Sequence, residues 1–169
     1  MRLLSFFLVM SCGLFIPVQR AASQDRSTFI GGNIVYGFPT GDFANGYKRV
    51  GGVEASLGAG SSGVYLLATT GILSYANQSN NGFGRISSIP LKGGVRLYAT
   101  KKIFLAGNLG AVFIKDQQMS SRAARFTYDA GIGYHGALGQ LGIHYDGWKR
   151  KSNPGTSNSV QLKLGLALR

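Results

Sequence analysis

Apolar residues alternate with small or polar residues along eight stretches of this chain. In the last stretch, valine or leucine occupies every second position from Val160 to Leu168, so an extended strand places all of them on one face. A helix would distribute the same side chains around its axis. The pattern therefore predicts eight β-strands, at residues 28–38, 50–60, 64–76, 86–99, 102–115, 124–135, 138–148 and 158–168.

The connectors between these strands alternate between long and short. Residues 39–49, 77–85, 116–123 and 149–157 form the long connectors, whereas residues 60–63, 100–101 and 136–137 form tight ones. This alternation is typical of a barrel threaded up and down, with both termini on the side of the short turns. An even strand number also leaves no open edge, which lipid would penalise by several kcal/mol for each unpaired backbone group. The predicted fold is an all-β, eight-stranded antiparallel up-and-down transmembrane β-barrel.

The two faces of the predicted strands differ in chemistry. Aromatic residues, among them Tyr65, Tyr75 and Tyr134, recur towards the ends of the apolar face, as in the girdles at a lipid–water boundary. A soluble, lipocalin-like barrel would instead turn its apolar face inward around a ligand. The apolar face is assigned to Ile30, Ile34, Tyr36, Val53, Ala55, Leu57, Tyr65, Leu67, Leu73, Tyr75, Ile89, Leu91, Val95, Leu97, Phe126, Tyr128, Ile132, Tyr134, Leu141, Ile143 and Tyr145. The polar inner face is assigned to Asn33, Glu54, Ser56, Lys92, Arg96, Asn108, Thr127, Asp129, His135, Gln140, His144, Asp146, Gln161 and Lys163.

The first 23 residues have the pattern of a secretory signal peptide, which divides the chain into a signal at 1–23 and a barrel domain at 24–169. Arg2 supplies the positive start, an apolar run follows, and small residues precede a cut after Ser23. The run is short of the roughly 20 residues that a membrane-spanning helix needs. A lipoprotein processing site at Cys12 is the weaker alternative. Loss of Cys12 with the signal leaves no disulfide, so stability must come from closed backbone pairing.

The charge balance favours anionic partners. Lysine and arginine number 18 against 6 aspartate and glutamate residues, a formal net charge of +12. Lipid phosphates, lipopolysaccharide and nucleic acid all fit such a charge. Export argues against nucleic acid, and no basic helix or aromatic–basic motif supports it. The chain has 26 glycines, and those that recur within the predicted strands indicate sharp coiling or crowding inside a small barrel.

Several stretches resemble the small outer-membrane β-barrel proteins of Gram-negative bacteria, the OmpA/OmpX-like class often described as the outer membrane protein beta-barrel domain. They are residues 38–43 (FPTGDF), 46–48 (GYK), 86–96 (ISSIPLKGGVR) and 131–134 (GIGY). The resemblance implies an integral protein of the outer membrane, inserted after signal cleavage by the outer-membrane assembly machinery. Members of such families commonly end in an aromatic residue, whereas this chain ends in Arg169.

Charged residues of the inner face predict a network that closes the barrel. Charges inside a narrow barrel must pair because an isolated ion there loses its hydration. Three carboxylates can meet three cations across the lumen, and side chains can fill an eight-stranded interior. The alternative is that some of these residues lie near the rim and are solvated. The predicted network comprises Glu54, Lys92, Arg96, Asp129, His144, Asp146 and Lys163.

Basic residues of the long connectors are candidates for lipopolysaccharide contacts, because multiple charges can hold its phosphates. Simple solvation of the connector tips is the alternative. Phe43, Tyr47 and Phe83 could touch a host surface or fold back onto the barrel rim. The candidate contacts are Lys48, Arg49, Arg85, Lys149, Arg150 and Lys151, and Lys115 and Arg122 add to the same excess of positive charge.

The sequence gives little support for catalysis. His144 and Asp146 share a face and Ser56 could lie across the lumen, but neither the order nor the spacing is diagnostic. His135 has no metal-ligand partner at a recognisable spacing, and no cofactor is indicated. We therefore expect a non-enzymatic outer-membrane barrel with a structural or surface-interaction role and an unidentified surface partner. A soluble exported barrel that binds a small apolar ligand is the second hypothesis, and a lipid-modifying barrel enzyme is the third.

Overall fold

The computed structural model describes residues 27–77, 84–116, 122–149 and 156–169, and these residues form eight long β-strands. Their positions confirm the eight predicted strands, with ends that differ by a few residues. The strands are β1 (Ser27–Thr40), β2 (Tyr47–Ser61), β3 (Val64–Asn77), β4 (Ile86–Tyr98), β5 (Ile103–Asp116), β6 (Arg122–His135), β7 (Gly139–Lys149) and β8 (Thr156–Leu168).

Each strand pairs antiparallel with the next one, and β8 pairs with β1 to close the barrel. Ile34 of β1, for example, lies opposite Val53 of β2 and Leu164 of β8. Closure leaves no sheet edge, so backbone groups find partners around the wall, except at a short gap in the pairing of β3 with β4. The predicted all-β, eight-stranded antiparallel up-and-down fold is confirmed.

The two ends of the barrel differ in their connectors. At the short-turn end, Ser62 and Gly63 join β2 to β3 with φ angles of 52° and 85°, a geometry that suits a two-residue hairpin between twisted strands. At the long-connector end, a 3₁₀ helix at Gly41–Asn45 follows β1. β1 begins and β8 ends at the short-turn end. Within the described residues, no helix has the length and apolar character needed to cross a membrane.

Burial alternates along the strands, and the apolar side chains are the exposed ones. In β1, Ile30 is 51% exposed and Ile34 is 67% exposed, whereas Asn33 between them is buried. β8 shows the same pattern, with Leu162, Leu164 and Leu166 on the outside. A soluble monomer rarely exposes a contiguous apolar patch larger than a few hundred Å². The outer wall therefore has the surface that a lipid environment requires.

The face assignment of β3 was wrong. Tyr65, Leu67, Leu73 and Tyr75 were expected on the outer face, but all four are buried inside the barrel. The other set of positions on β3 is also largely apolar, so the alternation there does not distinguish inside from outside. The pairing of β3 with β2 and β4 decides the orientation instead. Tyr65 and Tyr75 therefore do not belong to an outer girdle, whereas Phe126 and Tyr134 are exposed as expected.

Candidate functional site

The barrel interior contains a cluster of ionised side chains from five strands. Glu54 of β2, Lys92 of β4, Asp129 of β6, Asp146 of β7 and Lys163 of β8 are each at most 5% exposed. Each occupies an inward position on its strand, so closure of the barrel brings them together. All fourteen polar residues assigned to the inner face are buried.

Two lysines hold three carboxylates in this cluster. Lys163 Nζ lies 2.6 Å from Glu54 Oε2 and 2.7 Å from Asp129 Oδ2. Lys92 Nζ lies 2.7 Å from Asp146 Oδ2, 3.2 Å from Glu54 Oε1 and 3.8 Å from Asp129 Oδ2. Both ammonium groups thus bridge Glu54 and Asp129. Such close, shared contacts are what compensates ions that have been removed from water.

Neutral and imidazole groups complete the surroundings of Asp129. Asn108 Nδ2 donates a hydrogen bond of 2.7 Å to Asp129 Oδ1, and His144 Nδ1 lies 3.1 Å from the same oxygen. The His144 ring has space because Gly131 faces it: a Cβ atom at Gly131 would lie 2.5 Å from His144 Cγ. Asp129 therefore contacts four interior side chains and is the centre of the cluster.

Arg96 does not join the ion cluster, so the expected pairing of three cations with three carboxylates was wrong. Within the described residues, no carboxylate lies within ion-pair distance of Arg96. Its guanidinium carbon lies 4.4 Å from the ring centre of Phe29 and 4.1 Å from that of Phe104. Arg96 follows Lys92 by four residues, about 13 Å along a strand, which places it nearer the short-turn end.

A hydrogen-bonded chain connects Arg96 to the opposite wall. Arg96 Nη1 donates to Gln140 Oε1 at 2.8 Å, and Gln140 Nε2 donates to Asn33 Oδ1 at 2.7 Å. The two flanking rings contribute cation–π attraction, which is stronger away from water. The alternation predicts Gln140 and Asn33 on the inner face. It does not predict the contacts of Phe29 and Phe104 with Arg96, because stacking across the lumen leaves no local pattern in the sequence.

An aromatic cluster fills the barrel at the long-connector end. Phe43, in the 3₁₀ helix, is buried and packs against Tyr47, Tyr75 and Trp148 with ring centres 4.8, 5.4 and 5.2 Å away. Tyr75 and Trp148 lie 5.0 Å apart in an edge-on arrangement. Of the two readings of Phe43 and Tyr47, the fold-back onto the rim is the one the structure adopts. Phe83 lies outside the described residues.

Four of the candidate lipopolysaccharide contacts lie exposed at the long-connector end. Lys48 and Arg49 follow Tyr47 at the start of β2, and Arg85 precedes β4. Lys149 ends β7 with its Nζ 5.9 Å from the Phe126 ring centre. The Tyr47 hydroxyl donates to the Gly84 carbonyl at 3.4 Å and so brings the start of β2 close to Arg85. The other two candidates, Arg150 and Lys151, lie outside the described residues.

Polar side chains of the interior contact one another and the backbone of other strands. His144 faces Asp129 rather than Asp146, and Ser56 Oγ hydrogen-bonds to Thr69 Oγ1 at 2.9 Å. His135, at the short-turn end, contacts the Tyr98 hydroxyl at 2.6 Å and the Ala167 carbonyl at 3.2 Å. In the part of the chain that the structure describes, no group of three or more His, Cys, Asp or Glu side chains is arranged to hold a metal ion.

Comparison with solved structures identifies the fold. Ail, the attachment invasion locus protein of Yersinia pestis, matches with a TM-score of 0.55 at 13% identity, over 86% of this chain and 99% of Ail. The N-terminal β-barrel domain of OprF from Pseudomonas aeruginosa matches with a TM-score of 0.50 at 13% identity, over 86% of this chain and 98% of the domain. This chain has the fold of the small outer-membrane β-barrels.

A third barrel of this fold, Neisserial surface protein A, matches with a TM-score of 0.50 at 11% identity, over 85% of this chain and 97% of that protein. The sequence matches no family model and no curated protein. Because these identities are low, the similarity is one of architecture, and it agrees with the resemblance seen in the sequence. A shared architecture does not determine an activity, which depends on the residues of this barrel.

Proposed function

We propose that residues 24–169 form a non-enzymatic, integral outer-membrane barrel with a structural or surface-interaction role, exported with residues 1–23 as a cleaved signal. The observation that supports this most directly is that apolar side chains cover the outside of the barrel and charged side chains lie inside, the reverse of a soluble protein. Leucine and isoleucine side chains such as Ile34, Leu66 and Leu164 are more than half exposed, whereas Glu54 and Lys163 are buried. Water would disfavour that outer wall, and lipid solvates it.

The same reversal argues against a soluble barrel that carries an apolar ligand. An interior cavity of about 20 Å³ is lined mainly by polar residues, among them Asn33, Glu54 and Lys163. That is room for about one water molecule. A ligand site for a small apolar molecule would need several hundred Å³ and a mostly apolar lining.

The lumen is proposed to be closed by three successive tiers. The aromatic tier, which includes Phe43 and Trp148, lies at the long-connector end. The ionic tier, which includes Lys163 and Asp129, lies in the middle. The third tier, in which Arg96 stacks on aromatic rings, lies towards the short turns. An eight-stranded barrel has an interior that side chains can fill. We therefore expect no sustained passage of ions or solutes.

The surface role is proposed to involve the outer leaflet. If the short turns face the periplasm, Lys48, Arg49, Arg85 and Lys149 surround the outer end of the barrel, where lipopolysaccharide carries its phosphates. Arg150 and Lys151 extend the same set by sequence. Insertion would depend on the outer-membrane assembly machinery. Arg169 stands where such families commonly have an aromatic residue, and its guanidinium lies 4.0 Å from the ring centre of Tyr98.

Cell fractionation combined with gel electrophoresis tests this proposal. We expect the protein in the outer-membrane fraction, with faster migration in unheated samples than in boiled ones, because a closed barrel resists unfolding by detergent. Planar bilayer recordings of the purified barrel should show no steady conductance. A soluble periplasmic protein without a heat-dependent shift would refute the membrane assignment, and steady conductance would refute the closed lumen.

A further inference from the structure

The barrel wall has an interruption between β3 and β4. Pairing runs from Val64 opposite Leu97 to Thr70 opposite Leu91 and resumes only at Leu73 opposite Ser88. Pro90 lies in the gap and has no backbone N–H, so it cannot donate to a neighbouring strand. Proline is normally confined to edge strands or bulges for this reason. The Thr70 hydroxyl donates a hydrogen bond of 3.0 Å to the Pro90 carbonyl.

A groove of about 390 Å³ lies on the outer surface beside this interruption. Three apolar side chains form most of it, and each projects outward with 42–60% exposure. The volume falls in the range of about 300–1,000 Å³ that small-molecule sites occupy. The residues that line the groove are Ile72, Ser87, Ile89, Phe113 and Lys115.

The groove has a basic end and an apolar end. Lys115 lies opposite Ser87, one residue before β5 ends at Asp116, so the ammonium group is at the long-connector end. Ile72 lies five residues before the end of β3, about 16 Å along the strand. The groove therefore runs from a cation at the rim into the apolar wall.

Positive charge continues beside the basic end. Arg85 is exposed and directly precedes β4. A lysine whose alkyl stem lines an apolar groove can keep its ammonium at the polar boundary. This combination matches a lipid that has an anionic head group at the rim and an acyl chain in the wall.

We propose that this groove binds lipid A, the lipid anchor of lipopolysaccharide, with one acyl chain along Ile72, Ile89 and Phe113 and a phosphate at Lys115. The proposal rests on the proposed orientation, which directs the long connectors outward. In that orientation the basic end faces the outer leaflet, where lipopolysaccharide is the anionic lipid. Its multiple phosphates fit the several cations of this rim better than the single phosphate of a phospholipid.

The test is a titration of the purified, detergent-folded barrel with lipid A, followed by native mass spectrometry. Ile89→Trp fills the groove, and Leu91→Trp is its matched control because Leu91 projects outward from the same strand but does not line the groove. Lys115→Ala removes the cation, and Lys102→Ala is its control at the other end of the β4–β5 hairpin.

We expect Lys115→Ala to weaken lipid A binding about fivefold, the ratio that corresponds to about 1 kcal/mol for one basic contact. Ile89→Trp should weaken binding at least as much, and both control variants should bind as the unmodified barrel does. Phosphatidylglycerol should bind about fivefold less tightly than lipid A.

If Ile89→Trp and Leu91→Trp bound lipid A equally well, the groove would not be the binding site. If phosphatidylglycerol and lipid A bound equally tightly, the choice of lipid A as the ligand would be wrong. Absence of lipid A binding would overturn both. Each variant is first checked for the heat-dependent gel shift, which reports folding and membrane-barrel character independently of lipid binding. A normal shift without lipid A binding would therefore refute this site and leave the proposed function intact.

Discussion

Removing the ammonium group of Lys163 tests whether the interior ion cluster stabilises the barrel. Lys163 Nζ lies 2.6 Å from Glu54 and 2.7 Å from Asp129, and the side chain is buried. Breaking a buried ion pair by removing one partner costs about 3–5 kcal/mol, because the remaining charge is left uncompensated. Lys92, whose Nζ lies 3.2 Å from Glu54 in the unmodified barrel, should compensate part of that charge. We therefore expect Lys163→Met to lower the free energy of unfolding by about 3 kcal/mol.

The single tryptophan of the chain provides the assay. Trp148 is buried against Phe43 and Tyr75, so its fluorescence should report opening of the barrel during a urea titration in phospholipid vesicles. Lys102→Met is the matched control, since Lys102 is exposed at the short-turn end. Surface substitutions of this kind change stability by no more than about 0.5 kcal/mol.

A double variant separates charge from packing. Lys163→Met with Glu54→Gln removes one cation and one anion, so it should recover part of the lost stability. A loss below about 1 kcal/mol for Lys163→Met would refute the assignment of Lys163 as a required partner of the carboxylates. A double variant that is less stable than Lys163→Met alone would show that the loss comes from packing rather than from uncompensated charge.

Three further outcomes can be measured in the same vesicles. Phe43→Ala should cost about 3–5 kcal/mol of unfolding free energy and make Trp148 more accessible to acrylamide quenching, because Phe43 is packed in the aromatic tier. Leu162→Arg, at the middle of β8 on the outer wall, should cost about 2–4 kcal/mol, whereas Leu162→Ala should cost less. Pro90→Val restores a backbone N–H and should raise stability by about 1 kcal/mol, measured by the urea midpoint.

The fold could be predicted from the sequence because most strands separate their chemistry by face. β8 places leucines at alternate positions with Gln161 and Lys163 between them, so its outward and inward residues follow directly from the alternation. The face assignment of β3 was wrong because both faces of that strand are apolar. In that strand, only pairing with its neighbours directs Tyr65 and Tyr75 inward.

The partners inside the lumen could be predicted less well than the inward residues themselves. Contacts across a barrel depend on the stagger of strands that are distant in sequence, and that stagger leaves no mark on local patterns. Asp129 meets Lys163, a pairing that the alternation did not specify, and Arg96 stacks between two phenylalanines instead of meeting a carboxylate. The position of Phe43 was open for a related reason, because a connector can extend outward or pack on the rim.

The ion cluster also has a consequence for strand register. A slip of one residue between β7 and β8 would turn Lys163 towards lipid and bring Leu162 inside. The slip is therefore disfavoured twice, by a charge placed in lipid and by carboxylates left without Lys163 in the interior. We infer that the cluster selects one register more than it adds net stability, since apolar replacements of buried ions are often neutral or stabilising. Replacing Glu54, Asp129 and Lys163 together with leucine or methionine should then give a stable barrel with several folded species. One sharp set of backbone NMR signals from that variant would contradict the inference.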